Sequence, residues 1–294
     1  MHLKENEREL LQSLFTLMPK EDINNILENL FKQMVNVDLS TWNVFSLQMS
    51  LNIITQIIES DSKKSESSLF LSQLCRIVLN RANDDDFYVG MVKIPILEFY
   101  DFILKQKKSR IPKQNLLYCL QVCKVVKFKE TSNNLQLFLK NFDAVWNIIY
   151  NLLIHHAEIV LSSTHSFVQI IIILLRSFIV TGSKDLVSAQ DKEVQLQIIQ
   201  YAQNIDRLFT VMARHKTSFA KLVPNLIAEY VNCVQNVTLD LKIKEHLISG
   251  INRLFSFCSE DSLEAVRVNI NHSCRDIFTN IEKNYKQFKY CGDV

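Results

Sequence analysis

Glycine and proline are scarce in this sequence, four of each among 294 residues. Folds built from many tight turns, hairpins or glycine-kinked barrels need far more of both, so helices are strongly favoured. The glycines fall at 90, 182, 250 and 292. That spacing excludes the phosphate-cradling loop of nucleotide hydrolases and the dinucleotide fingerprint, since each needs glycines a few residues apart. An excess of one charge is missing as well: 33 Lys and Arg against 31 Asp and Glu leave +2. No global field therefore draws the chain to nucleic acid or an anionic membrane, and any such contact must be local. The seven cysteines, at 75, 119, 123, 233, 258, 274 and 291, show no repeated spacing. An odd, scattered set reads as reduced thiols of an intracellular protein, not as a disulfide framework. The amino end, "MHLKENERELLQSLF", is charged from Lys4 to Glu9 where a secretory leader needs an apolar run, so export is not expected. On that expectation the sequons at Asn236 and Asn271 are chance matches.

Apolar residues are abundant, at 48% of the chain, so a packed core is expected in one or two domains. The longest apolar block, "SFVQIIIILLRSFIV" from Ser166 to Val180, is interrupted by Gln169, Arg176 and Ser177. It falls short of the roughly 20 residues that span a bilayer, and a helix buried on all sides in the middle of a core produces the same run.

Helical spacing recurs along the chain. Leu10, Leu11, Leu14, Phe15 and Leu17 form one stripe, Pro19 ends it, and "KEDINNILENLFKQM" restarts it with acidic residues in the first turn. A third helix is predicted from Ser40, as N-cap, to Glu59, followed by the polar stretch "SDSKKSESS". Further blocks lie at 69–80, 95–106, 112–128, 141–161 and 166–180, with Pro95 and Pro112 suited to the first turn of their helices. Gly182 suits a helix end, and long patterns follow at 191–215, 217–236, 240–258 and 261–290. Pro224 kinks the second of these or starts it anew, and Asp261-Ser262 with Glu264 caps the last. The sum is about eleven or twelve helices with short links, which favours antiparallel neighbours. The expected fold is all-α, a degenerate α-solenoid of the HEAT or armadillo kind, with a globular multi-helix domain as the alternative.

Residues that carry chemistry are few. Asp84, Asp85 and Asp86 lack the alternating spacing and glycine of a calcium loop and read as a turn. His155 and His156 are adjacent and point to different faces, where zinc on a helix wants ligands at i and i+4. Cys119 and Cys123 do lie one turn apart, but inside "LLYCLQVCKVV", where small core side chains account for them. No catalytic, cofactor or metal residue is assigned, and no enzyme activity is expected. A hydrolase built from distant Cys, His and acidic residues is the least supported alternative. "KQKKSR" at 105–110 reads as a solvated loop, or as a phosphate or import contact.

The chain closes with "IEKNYKQFKYCGDV", in which Lys283, Lys286 and Lys289 alternate with Tyr285, Phe288 and Tyr290. Exposed, those rings would stack on unpaired bases beside a cationic face. The same spacing also suits lysines opposing the dipole at a helix end, with the rings packed inward. Composition leaves both readings open.

A resemblance bears on that choice. "RHKTSFAKLVPNLIAEYVNCVQ" carries a His215-Lys216 pair before a helix ending in Ile227-Ala228-Glu229-Tyr230-Val231. Gly250-Ile251, Leu254-Phe255 and Cys258 follow on another helix, and Tyr285-Lys286, Lys289-Tyr290 and Gly292 close the chain. In these motifs the sequence resembles the carboxyl-terminal domain of the unhealthy ribosome biogenesis protein 2 family, also called nucleolar preribosomal-associated protein 2. The resemblance is firm over about the last 80 residues and weaker back to the "SFVQIIIILL" helix. It suggests a helical region at 1–130 followed by the family's domain at 131–294. Family members are longer, so the sequence looks like the carboxyl-terminal portion of one, or a shortened relative.

The resemblance implies a non-enzymatic scaffold of the nucleolus and nucleus. It would act without cofactors in early precursors of the large ribosomal subunit and in pre-rRNA processing. The implied partners are other preribosomal assembly factors, a large preribosomal-associated scaffold protein and an RNA helicase, with pre-rRNA a further contact. No membrane or small-molecule substrate is expected. Two alternatives stand beside it: RNA binding through the basic and aromatic end, and an unrelated intracellular helical repeat that binds proteins.

Overall fold

The computed structural model describes residues 5–36, 44–60, 87–105, 113–126, 128 and 135–290. Among these, 87% are helical and no strand is present, so the protein is all-α. The predicted helix at 69–80, the cap at Ser40, Asp84 to Asp86, most of "KQKKSR", Pro112, Cys75 and Cys291 lie outside the described residues. Contacts divide the chain into two compact units, Met1–Val126 and Lys127–Val294.

The first unit contains α1 (Glu5–Leu17), α2 (Lys20–Asn36), α3 (Val44–Ser60), α4 (Phe87–Lys105) and α5 (Lys113–Val125). Acidic residues stand in the first turns of α1 and α2, where they oppose the helix dipole. Phe15, Ile23 and Ile57 form a small core joining α1, α2 and α3. Helix α4 begins at Phe87, so Pro95 sits inside it and not in its first turn. A buried face of Ile96, Leu97, Phe99, Tyr100, Ile103 and Leu104 holds the helix through the proline, whose missing N–H forfeits one ladder bond. Cys119 and Cys123 are both buried in α5, as small core side chains.

Among its described residues the second unit contains ten helices. They are α6 (Leu135–His155), α7 (Ala157–Ser162), α8 (Thr164–Thr181), α9 (Lys184–Ser188), α10 (Lys192–Ala213), α11 (Lys216–Phe219), α12 (Val223–Val234), α13 (Leu241–Phe255), α14 (Glu260–Asn269) and α15 (Arg275–Tyr290), with a 3-10 turn at His272–Cys274. Three boundaries differ from those read in the sequence. The block at 141–161 begins six residues earlier and breaks at His156, giving α6 and α7. The pattern at 261–290 breaks at Ile270, whose extended backbone (ψ 155°) turns the chain between α14 and α15. The cap of α14 is Ser259, whose hydroxyl accepts from Ser262 N, not the Asp261-Ser262 pair. Pro224 starts α12 anew, in the first turn where its missing N–H costs nothing.

Helix α6 is the most enclosed element, because apolar residues recur on nearly every side of it. Thirteen of its residues are buried, against nine in α8. Phe142 is fully buried, with its ring 5.3 Å from that of Phe178 in α8 and 5.0 Å from that of Tyr201 in α10. Burial of such a ring contributes about 2–3 kcal/mol. Trp146 Nε1 donates to the Asn204 carbonyl at 3.1 Å, and the Tyr201 hydroxyl donates to the Leu139 carbonyl at 3.1 Å. Burial pushes the Tyr201 pKa up to about 12, so that donor stays protonated at neutral pH. Helix α8 holds the apolar run, and among the described residues it is the one helix long and apolar enough to cross a membrane. Half of it is buried, and not on all sides: Gln169, Arg176 and Val180 are exposed.

The partners of each long helix are set by contacts far apart in sequence. Gln203 meets His246 and Asp206 meets Ser249, so α10 and α13 run parallel. Arg176 meets Glu229, and just past the carboxyl ends of both helices Asp240 N donates to the Gly182 carbonyl at 3.1 Å, which sets α8 parallel to α12. Leu139 meets Tyr201 and Trp146 meets Asn204, which does the same for α6 and α10. The long helices therefore form two rows, α6, α10 and α13 in one and α8 and α12 in the other. Each packs against the next but one of the long helices.

Candidate functional site

Among the described residues helices α10 and α13 make the most extensive contact, and a missing side chain permits it. A Cβ on Gly250 would stand 2.7 Å from Phe209 Cδ2 and 3.3 Å from Asp206 Cα, so glycine lets the two backbones approach. Ile251, Leu254 and Phe255 are buried alongside. Beside the crossing, Asp206 accepts from Arg253 Nε at 3.1 Å and from the Ser249 hydroxyl at 3.3 Å. The family-signature residues Gly250, Ile251, Leu254 and Phe255 thus hold one helix pair together.

The second cluster joins α8 to α12. Arg176 Nε donates to Glu229 Oε1 at 2.7 Å, and Cys233 Sγ donates to the same oxygen at 3.3 Å. Burial raises the Glu229 pKa, but the bonds from Arg176 and Cys233 outweigh it and hold the carboxyl below its ordinary value. Burial, with the bond to Glu229, pushes the Cys233 thiol up to about 12, so it is no nucleophile at neutral pH. Of the neighbouring signature residues, Tyr230 is buried and Ala228 half-buried. His215 is half-buried at the N-cap of α11, and Lys216 is exposed beyond it, close enough for its charge to act on Cys258.

At the carboxyl end the sequence reading resolves in part. Tyr285 is buried and stacked on Phe255, with ring centroids 5.4 Å apart, so it braces α15 against α13 and offers no face to a base. Lys283 is exposed. Lys286 is exposed too, but its Nζ lies 2.8 Å from Glu282 Oε1. The side chains of Phe288, Lys289 and Tyr290 lie outside the described residues. Of the proposed cationic and aromatic face, the structure brings Lys283 and Lys286 to one exposed side and turns Tyr285 away from it.

A buried charge that the sequence reading missed closes this end. Glu282 is only 6% exposed, and Arg267 Nη2 of α14 approaches it at 2.5 Å. Arg267 also pairs with Glu264 and lies over the Phe278 ring, 5.8 Å from its centroid. Burial pushes the Glu282 carboxyl up, and the bonds from Lys286 and Arg267 outweigh it, so the group stays ionised below the usual range. The one sequence hint was Arg176, a cation interrupting an apolar run and therefore in need of a partner. Nothing local marked Asp206 or Glu282 as buried: their arginine partners sit 47 and 15 residues away, and Glu282 with Lys286 at i, i+4 reads as an ordinary surface pair. Among the described residues no group of three or more His, Cys, Asp or Glu side chains could hold a metal ion.

Fold and site together define an all-helical protein whose distinguishing residues serve chiefly to lock helices against one another. The Urb2/Npa2 family model matches residues 94–293, and the chain belongs to that family. The match covers the signature helices, α5 and the part of α4 from residue 94 on, so it begins 37 residues before residue 131, where the motifs placed the start of the family's domain. No solved structure matches the chain. Urb2/Npa2 is a family of ribosome biogenesis factors.

Proposed function

We propose that this protein is a non-enzymatic helical scaffold in the nucleolus, where it serves the assembly of early large-subunit (60S) precursors and the processing of pre-rRNA. The single observation that carries the reading is the family match over residues 94–293. The clusters at Asp206, Glu229 and Glu282 support it, because each joins two helices and each is satisfied within the protein. The two rows of parallel helices support a stack of helical pairs, which exposes long surfaces for partners. Such partners would be other preribosomal assembly factors, among them a large preribosomal-associated scaffold protein and an RNA helicase. The alternative of an unrelated helical repeat falls with the family match.

Co-sedimentation tests the reading. The tagged chain, expressed in cells, is expected to travel with large-subunit precursors in a sucrose gradient. Migration with free protein, while a control assembly factor enters the precursor fractions, would refute it. Crosslinking mass spectrometry on the same fractions separates protein-facing from RNA-facing helices.

A further inference from the structure

The first unit holds a small cleft in which the packing leaves polar groups unsatisfied. It opens where α1 and α4 both lean on α3, and it has a volume of ≈ 200 Å³, room for one side chain. Asn52, Gln56 and Glu59 of α3, Glu98 and Phe102 of α4 and Arg8 of α1 line it. Residues 52, 56 and 59 recur at i, i+4 and i+7, so α3 presents them as one row. Gln56 is only 3% exposed, and its Oε1 has no hydrogen-bond partner. One turn earlier, Asn52 Nδ2 is buried and unpartnered as well. An acceptor and a donor left unmet in this way carry a desolvation penalty that a complementary ligand relieves.

The chemistry of the walls selects the ligand. Gln56 Oε1 requires a donor, and two carboxylates stand against one guanidinium, so the cleft favours a cation rich in N–H groups. Gln12 Nε2 already donates to one oxygen of Glu59 at 2.9 Å, which fixes that carboxylate on α3. Phe102 supplies a ring on which a planar cation can lie. We propose that the cleft receives an arginine side chain from a basic peptide segment. Its guanidinium donates to Gln56 Oε1 and to Glu59 and Glu98, with its plane on Phe102, and Asn52 Nδ2 donates to a main-chain carbonyl of the same segment. Lysine lacks the planar fork and fits the site less well. RNA is disfavoured, since its phosphates would meet Glu59 and Glu98. The proposal stands on the first unit alone and does not depend on the role in ribosome biogenesis.

Titration of the 15N-labelled full chain with acetyl-Gly-Ser-Arg-Ser-Gly-amide tests it, with the side-chain amide resonances of Asn52 and Gln56 as readout. Saturable shifts are expected, with affinity at least about tenfold above that of the citrulline analogue and above that of the lysine analogue. Gln56→Leu is expected to raise Tm, because it removes the orphan acceptor, while weakening the arginine peptide about fivefold or more. Glu98→Gln should weaken it similarly with Tm little changed. Equal binding of the citrulline peptide, absence of binding, unchanged affinity in both variants, or saturable binding of oligouridylate to the cleft in place of the peptide would each overturn the proposal.

Discussion

Gly250→Ala is the sharpest test of the α10–α13 crossing. Alanine is the better helix former by about 1 kcal/mol, so in an exposed helix the substitution would stabilise. Here the added methyl would stand 2.7 Å from Phe209 Cδ2 and 3.3 Å from Asp206 Cα. Neither neighbour can yield cheaply, since Phe209 is fully buried and the other atom is backbone. Overpacking of that kind costs about 1–3 kcal/mol, and the rigid neighbours place this case near the upper end. The net expectation is a loss of about 2 kcal/mol, a fall in Tm of about 4–8 °C for a domain of this size. Gly182→Ala is the control. Its Cβ would meet the Ile243 side chain at 3.1 Å, and Gly182 has an ordinary φ of −79°, so the loss is expected to be smaller. Scanning calorimetry reads both variants, and the double variant with Phe209→Leu should lose less than the sum of the singles. A Tm that rises in Gly250→Ala would show that the helices do not approach as closely as the geometry states.

Four further outcomes follow from the remaining clusters. Tyr285→Leu is expected to lower Tm by removing the stack on Phe255 while leaving RNA affinity unchanged in filter binding, and an RNA defect without a stability defect would reverse the assignment of this ring. Neutralising Lys283, Lys286 and Lys289 together should reduce the salt slope of RNA binding by about two units if that face meets single strands, and an unchanged slope removes the RNA reading. Arg176→Met should cost up to about 1 kcal/mol at pH 7, since the arginine is 61% exposed. Because the folded Glu229 carboxyl lies below its ordinary 4.5, the stability it adds is present above that value and lost as pH falls through the folded value. The variant should therefore lose less stability than the parent on acidification in urea titrations. At pH 8, Cys233 and Cys258, pushed up to about 12 and about 11 chiefly by burial, should react with iodoacetamide far more slowly in the folded chain than in urea.

Much of the helical layout was legible because periodicity is a local property. An interruption at Pro224, a kink or a restart, and the acidic first turn of α2 could be read directly, as could the signature helices, whose glycine and apolar spacing are local. Pro95 misled because a proline inside a helix and one that opens it look alike until the packing of Ile96 to Leu104 is known. The break at Ile270 carried no glycine or proline, and only the pairing of Arg267 with Glu282 across it shows why the chain turns. Likewise "SFVQIIIILLRSFIV" read as the most enclosed helix, whereas α6 is, because enclosure depends on how many neighbours a helix has and not on how apolar it is.

The sequence by itself determined that this protein is all-α, carries no glycine-rich nucleotide loop, and resembles a ribosome-biogenesis family through motifs in its last helices. Composition and spacing suffice for those conclusions, since each rests on residues a turn or two apart. Only the tertiary structure decided what the motifs are for. It made Gly250 a crossing point, turned Tyr285 onto Phe255, satisfied Glu229 with Arg176, and set the long helices in parallel rows. Those outcomes depend on contacts between residues 30 to 62 positions apart, where the identity of a side chain says what it can bond but not which partner will reach it.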